Sequence, residues 1–194
     1  MSREDAERIL LEAGGGADRD FPLLEAAIAC AIHEDPDRDP QRARDLGAVG
    51  VERLTQRLAQ ESPEEALAET MAGDLRLTGD LFTPEDPDNA DILAVCERRT
   101  GLAVALGVYY LHVARKCGLS LQGVDFPGHF LLRIETEEGP LALDPFSEGR
   151  VVLPSELTRR ALHAGLTPNV ADRLDRLMAP VSDRAVLLRL QNTV

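Results

Sequence analysis

The spacing of hydrophobic and polar positions changes period partway along the chain. Up to about Leu77 apolar residues recur every three or four positions, which places them on one stripe of an α-helix. Leu23, Leu24, Ala27 and Ile28 form one stripe, and Leu46, Val49, Leu54 and Leu58 form a second. Ser62-Pro63-Glu64-Glu65 predicts the start of a third helix, with Ser62 as N-cap, Pro63 at the first helical position and Glu65 completing a capping box. Ahead of these, residues 1–12 read as a short charged helix, followed by a joint at Gly14-Gly15-Gly16. An acidic turn from Pro84 to Asn89 leads into a helix through Arg99, with Gly101 as its stop signal. The next helix, from about Leu102 to Cys117, is apolar nearly all round, as expected of one buried at the centre of a domain. Gly107 inside it costs about 1 kcal/mol relative to Ala, which predicts a neighbour packed close against it.

Beyond this helix the period drops to two. Strands are predicted at about 121–126, 129–134, 139–144 and 150–153, and the tail from Pro154 returns to helical spacing. A turn at Glu135-Thr136-Glu137-Glu138 would set His129 directly opposite Asp144, on one face with Leu131 and Arg133. Phe130, Leu132, Ile134, Leu141 and Leu143 then share the other, apolar face. The order is α+β: a helical N-terminal half, a central buried helix, a small antiparallel sheet and a helical tail. It divides the chain into residues 1–20, 21–77, 78–153 and 154–194.

A carboxylate that fixes an imidazole is half of a nucleophilic triad. The helix beginning near Leu102 is where the other half belongs, because its first N–H groups lack partners and its dipole favours a thiolate and an oxyanion. Positions 101–108 nevertheless hold no Ser, Thr or Cys. Cys117 lies twelve helical residues beyond Ala105, roughly 18 Å away. Cys96 falls on a line with Leu93 in the preceding helix and reads as a small core residue. His33, His112 and His163 have no ligand spacing, and a metal at His129 and Asp144 would need a third ligand to which the sequence does not point. No metal or cofactor is expected.

Composition narrows the field further. A formal charge of −13 argues against nucleic acid and anionic membrane surfaces as partners. The apolar run from Leu102 to Ala114 is too short to span a bilayer. Three cysteines, an odd number without metal spacing, fit a reduced cytoplasmic setting. Hydrophobic residues make up 44% of the chain but aromatic ones only 4%, so the core is mostly aliphatic.

The run Glu97-Arg98-Arg99-Thr100-Gly101-Leu102-Ala103-Val104-Ala105-Leu106, then Gly123 to Arg133 and Leu143-Asp144-Pro145-Phe146 with Gly149, closely resembles a bacterial transglutaminase-like family often labelled SirB. The resemblance covers about Leu81 to Gly149 and includes Asn89 with its acidic turn. It implies a transglutaminase-like, papain-related fold in which His129 and Asp144 match the triad His and Asp. Ala105 then occupies the nucleophile position, where many relatives carry Ser and active transglutaminases carry Cys. Asn89, Gly128 and Arg133 become candidate binding positions, although Arg133 fits an ion pair with surface carboxylates better than a substrate contact. The family also implies a continuation into tetratricopeptide-type helices, and residues 181–192 resemble the junction into them.

Two functions are consistent with these residues. One is a non-catalytic descendant of the fold that binds a protein or peptide in the old cleft. The other is a hydrolase that uses His129 and Asp144 as a general base. The pair also reads simply as a stitch between two strands. At the C-terminus Val186, Leu187 and Leu190 form an apolar stripe on a helix too short to stand alone, which suggests docking on its own domain, a homodimer contact or an exposed stump, with the last two favoured.

Overall fold

The computed structural model describes residues 1–193, the side chain of Arg19 excepted. The N-terminal half is helical: α1 (Arg3–Gly15), α2 (Leu23–Glu34), α3 (Gln41–Arg57) and α4 (Pro63–Ala68), the last running into a π-helical turn at Glu69–Asp74. Short strands β1 (Thr78–Gly79) and β2 (Thr100–Gly101) pair in parallel on either side of α5 (Ile92–Arg98). They deliver the chain to the central helix α6 (Ala103–Lys116).

Five strands follow, in the spatial order β6-β5-β4-β3-β7, with every pairing antiparallel. They are β3 (Leu121–Phe126), β4 (His129–Thr136), β5 (Gly139–Asp144), β6 (Arg150–Val152) and β7 (Pro180–Val181). Between β6 and β7 lie α7 (Pro154–His163), α8 (Pro168–Ala171) and α9 (Leu174–Leu177), and α10 (Asp183–Gln191) closes the chain.

Side-chain alternation builds two cores, one on each face of the sheet. Phe130, Leu132, Ile134 and Leu143 join the larger core with α6 and the N-terminal helices. Val124, Phe126, Leu131 and Ala142 point the other way and are covered by Leu157, Ala161, Ala171 and Met178 of the later helical segment. His129 and Asp144 belong by alternation to this second face. Gly107 has the predicted close neighbour: a Cβ there would stand 2.5 Å from the Phe130 ring.

Several local expectations are corrected. The β4–β5 turn is two residues long, Glu137-Glu138, because Thr136 pairs with Gly139 and Leu132 with Leu143. The register therefore slips by two, which preserves each residue's face and makes His129 a diagonal rather than a direct neighbour of Asp144. Ser62 makes no capping bond, and its hydroxyl is buried without a partner. The capping box is instead formed at Ser2 and Asp5. α5 ends on Arg99 in the left-handed conformation (φ 61°), held by bonds from its guanidinium to the carbonyls of Cys96 and Leu75. The stop at Gly101 is thus not used.

The C-terminal stripe is not exposed. Val186 and Leu190 are 0% and 1% accessible, sunk in the main core, where α10 packs against α2, α6 and β3. These two side chains are thus spent on the chain's own core and not on an exposed stump. Leu190→Ala should lower stability by about 2–5 kcal/mol. In urea unfolding this appears as a lower midpoint at unchanged slope.

Candidate functional site

The β3–β4 hairpin turns at Pro127-Gly128, and Gly128 takes φ +72°, which a side chain would strain. This turn starts β4 on His129. One strand over, β5 ends on Asp144, whose side chain caps the 3-10 turn Pro145–Ser147 by accepting from the N–H groups of Phe146 (3.0 Å) and Ser147 (3.3 Å). His129 Nε2 lies 3.3 Å from the same oxygen, Asp144 Oδ1. The other oxygen, Oδ2, accepts from Arg160 Nη1 at 2.9 Å.

Arg160 reaches in from α7 and also bonds Glu156, which Arg150 grips with both guanidinium nitrogens. The result is a chain of alternating charge: Arg150, Glu156, Arg160, Asp144, His129. Asp144 is inaccessible to solvent. Burial pushes its carboxyl up, but His129 and Arg160 outweigh that and hold it at about 2. An ionised carboxylate only accepts, so a neutral His129 carries its proton on Nε2 and leaves Nδ1 as a lone pair. Nδ1 has no hydrogen-bond partner among the described residues.

The His129 ring is 31% exposed and lines a depression of about 510 Å³. Gly128 and Ser147 form one wall, and Arg159, Arg160 and His163 of α7 form the other. Phe146 meets the imidazole edge-on at 6.1 Å and packs its other side on Gly79 of β1, where a Cβ would come within 2.4 Å of its ring.

Comparison with known proteins fits this geometry. A family model described as the transglutaminase-like superfamily matches residues 44–192. The chain belongs to the transglutaminase-like superfamily. It is 33% identical to a UPF0162 protein of Xylella fastidiosa over 178 residues, 89% of this chain and 63% of that protein. A UPF0162 protein of Pseudomonas aeruginosa is 30% identical over 169 residues, 83% of this chain and 55% of the relative. Protein SirB1 of Salmonella typhimurium is 32% identical over 103 residues, 53% of this chain and 38% of that protein. The chain thus spans less than two thirds of the length of these relatives. No solved structure matches.

Among the candidate residues of this transglutaminase-like domain, three meet in one place. His129, Asp144 and Gly128 share the depression. Ala105, third in α6, is fully buried in the main core, and no residue of the first turn of α6 lines the depression. Arg133 bonds Glu135 and the Met178 carbonyl, away from His129. Asn89 is buried beneath the loop that precedes α5: its Nδ2 donates to the Thr83 carbonyl and its own carbonyl accepts from Leu102 N–H. In that loop the Thr83 hydroxyl and N–H hold the Asp80 carboxyl well below its usual range, with the N–H of Phe82 adding to the effect.

The thiols are dispersed. Burial pushes Cys30 up to about 11 and raises Cys96, while Cys117 contacts Thr55 and the Val51 carbonyl. No group of three potential ligands suited to a metal occurs among the described residues, and no helix there is long and apolar enough to cross a membrane. Arg159, Arg160 and His163 escaped sequence reasoning because α7 pairs with the site through the fold alone. The one hint was the amphipathic pattern around Leu157 and Ala161, which places Arg160 beside the buried stripe.

Asp144 gives a signed pH prediction. Its folded value lies below the ordinary 3.8, so its contribution is present above about pH 4 and is lost as pH falls through about 2. The stability gap between the native chain and Asp144→Asn should shrink by about 2 kcal/mol from pH 5 to pH 2. Urea titrations at both pH values measure it, and a constant gap would mean the carboxyl is not held low.

Proposed function

We propose that this chain is a transglutaminase-like domain that does not carry out acyl transfer and binds a protein or peptide segment in the depression beside His129. The observation that carries the reading is the mismatch between the pair and its missing nucleophile. Ala105 offers a buried methyl group, and no thiol lines the depression. Asp144, for its part, is committed to four donors that hold a strand end, a turn and α7 together. A carboxylate bound in this way anchors structure whether or not chemistry takes place.

A second reading is supported by Nδ1 of His129. With Nε2 held by Asp144, the free lone pair on a partly exposed ring is the arrangement of a general base acting on water. Ser147 contributes the one hydroxyl of the depression, although its role in the structure is to follow the Asp144 cap.

Thiol-dependent transamidation and peptide cleavage should be absent, and iodoacetamide should change no activity, since the thiolate such chemistry needs is missing. Activity abolished by alkylation of Cys96 or Cys117 would overturn this. Peptide binding is tested by panning a random peptide library on the protein and on Ala164→Trp, a substitution at an exposed rim position that fills the depression. Sequences enriched by the native chain alone support the proposal. Equal enrichment by both, or none by either, contradicts it.

A further inference from the structure

We infer that the depression takes an anionic group, a carboxylate or a phosphoryl, with Arg159 as its principal partner; this rests on the reading of the depression as a binding site. The argument comes from charge pairing. Asp144 is the one acidic side chain in the lining, and Arg160 cancels it at 2.9 Å. Glu156, the next carboxylate outward, is held by Arg150 at 2.8 Å and by Arg160 at 3.1 Å. Two acids and two arginines thus neutralise each other along one chain of contacts. What remains facing the depression as an uncompensated charge is Arg159, beside the imidazoles of His129 and His163.

Arg159 is exposed and makes no ion pair or hydrogen bond among the described residues, and the same holds for His163. A free guanidinium presents a planar fork matched to two oxygens of a carboxylate or phosphate. The C-terminal end of α7 opposes an anion with about half a negative charge, less than the full charge of Arg159.

The test is an NMR titration that follows the His129 and His163 ring signals. Sodium acetate and inorganic phosphate are added separately at constant ionic strength to the native chain, Arg159→Gln and Arg159→Lys. Saturable shifts with millimolar affinity are expected, weakened about tenfold in Arg159→Gln and only partly restored in Arg159→Lys, which keeps the charge but lacks the fork. The anion that binds tighter identifies the source, carboxylate or phosphoryl. No saturable shift, or equal affinity in Arg159→Gln, overturns the inference. Peptides from the library that bind as C-terminal amides without acidic residues, and that acetate and phosphate do not displace, would also overturn it while leaving peptide binding intact. An anion-dependent shift without any enriched peptide would do the reverse.

Discussion

The burial of one ionised carboxylate organises this end of the molecule. Asp144 has no contact with water, so its charge is sustained only by donors the fold brings to it. Two backbone N–H groups come from the turn that the side chain itself caps, one imidazole comes from the start of β4, and one guanidinium comes from α7. Together these donors fix the positions of three different elements. Removing any of them leaves a buried charge under-satisfied, so strand end, turn and helix are coupled through a single side chain.

The same coupling shapes the functional reading. In an acyl-transfer enzyme the acid orients the base and the base serves a nucleophile. Here orientation survives: Asp144 stays ionised and sets the His129 tautomer. The strand alternation that places both on the α7 side, however, sends Phe130 and Leu143 towards α6, where Ala105 is buried. The depression beside His129 is therefore built from the β3–β4 turn and the end of α7, elements that present basic side chains rather than a thiol. Membership of the superfamily fixes the scaffold and not the chemistry, which resides in side chains such as these.

Much of the scaffold was legible because hydrophobic period is a local property. The central helix, the four strands from Leu121 to Val152 and the close approach at Gly107 followed from spacing alone. The strand faces survived a two-residue error in register because the side-chain period is two. Signals that depend on tertiary context misled. Ser62 has the residues of a capping box but uses none of its bonds, and Gly101 looks like a stop although Arg99 adopts the turn first. The stripe on α10 was visible, but a sequence pattern cannot say whether an apolar face meets its own core or another chain. The pairing of His129 with Asp144 was readable from a hairpin of contiguous residues. Arg160 was not, because its partnership bridges sixteen positions and a change of element.

The proposal that the pair takes no part in chemistry at position 105 is tested most directly by Ala105→Cys, with the thiol pKa taken from the pH dependence of alkylation. The account predicts a value at or above the free-cysteine 8.5, because the position is buried and outside the His129 depression. It also predicts that adding His129→Ala changes nothing. A thiol shifted well below 8.5, and returned to it by His129→Ala, would contradict the account and show a catalytic alignment that lacks only its sulfur.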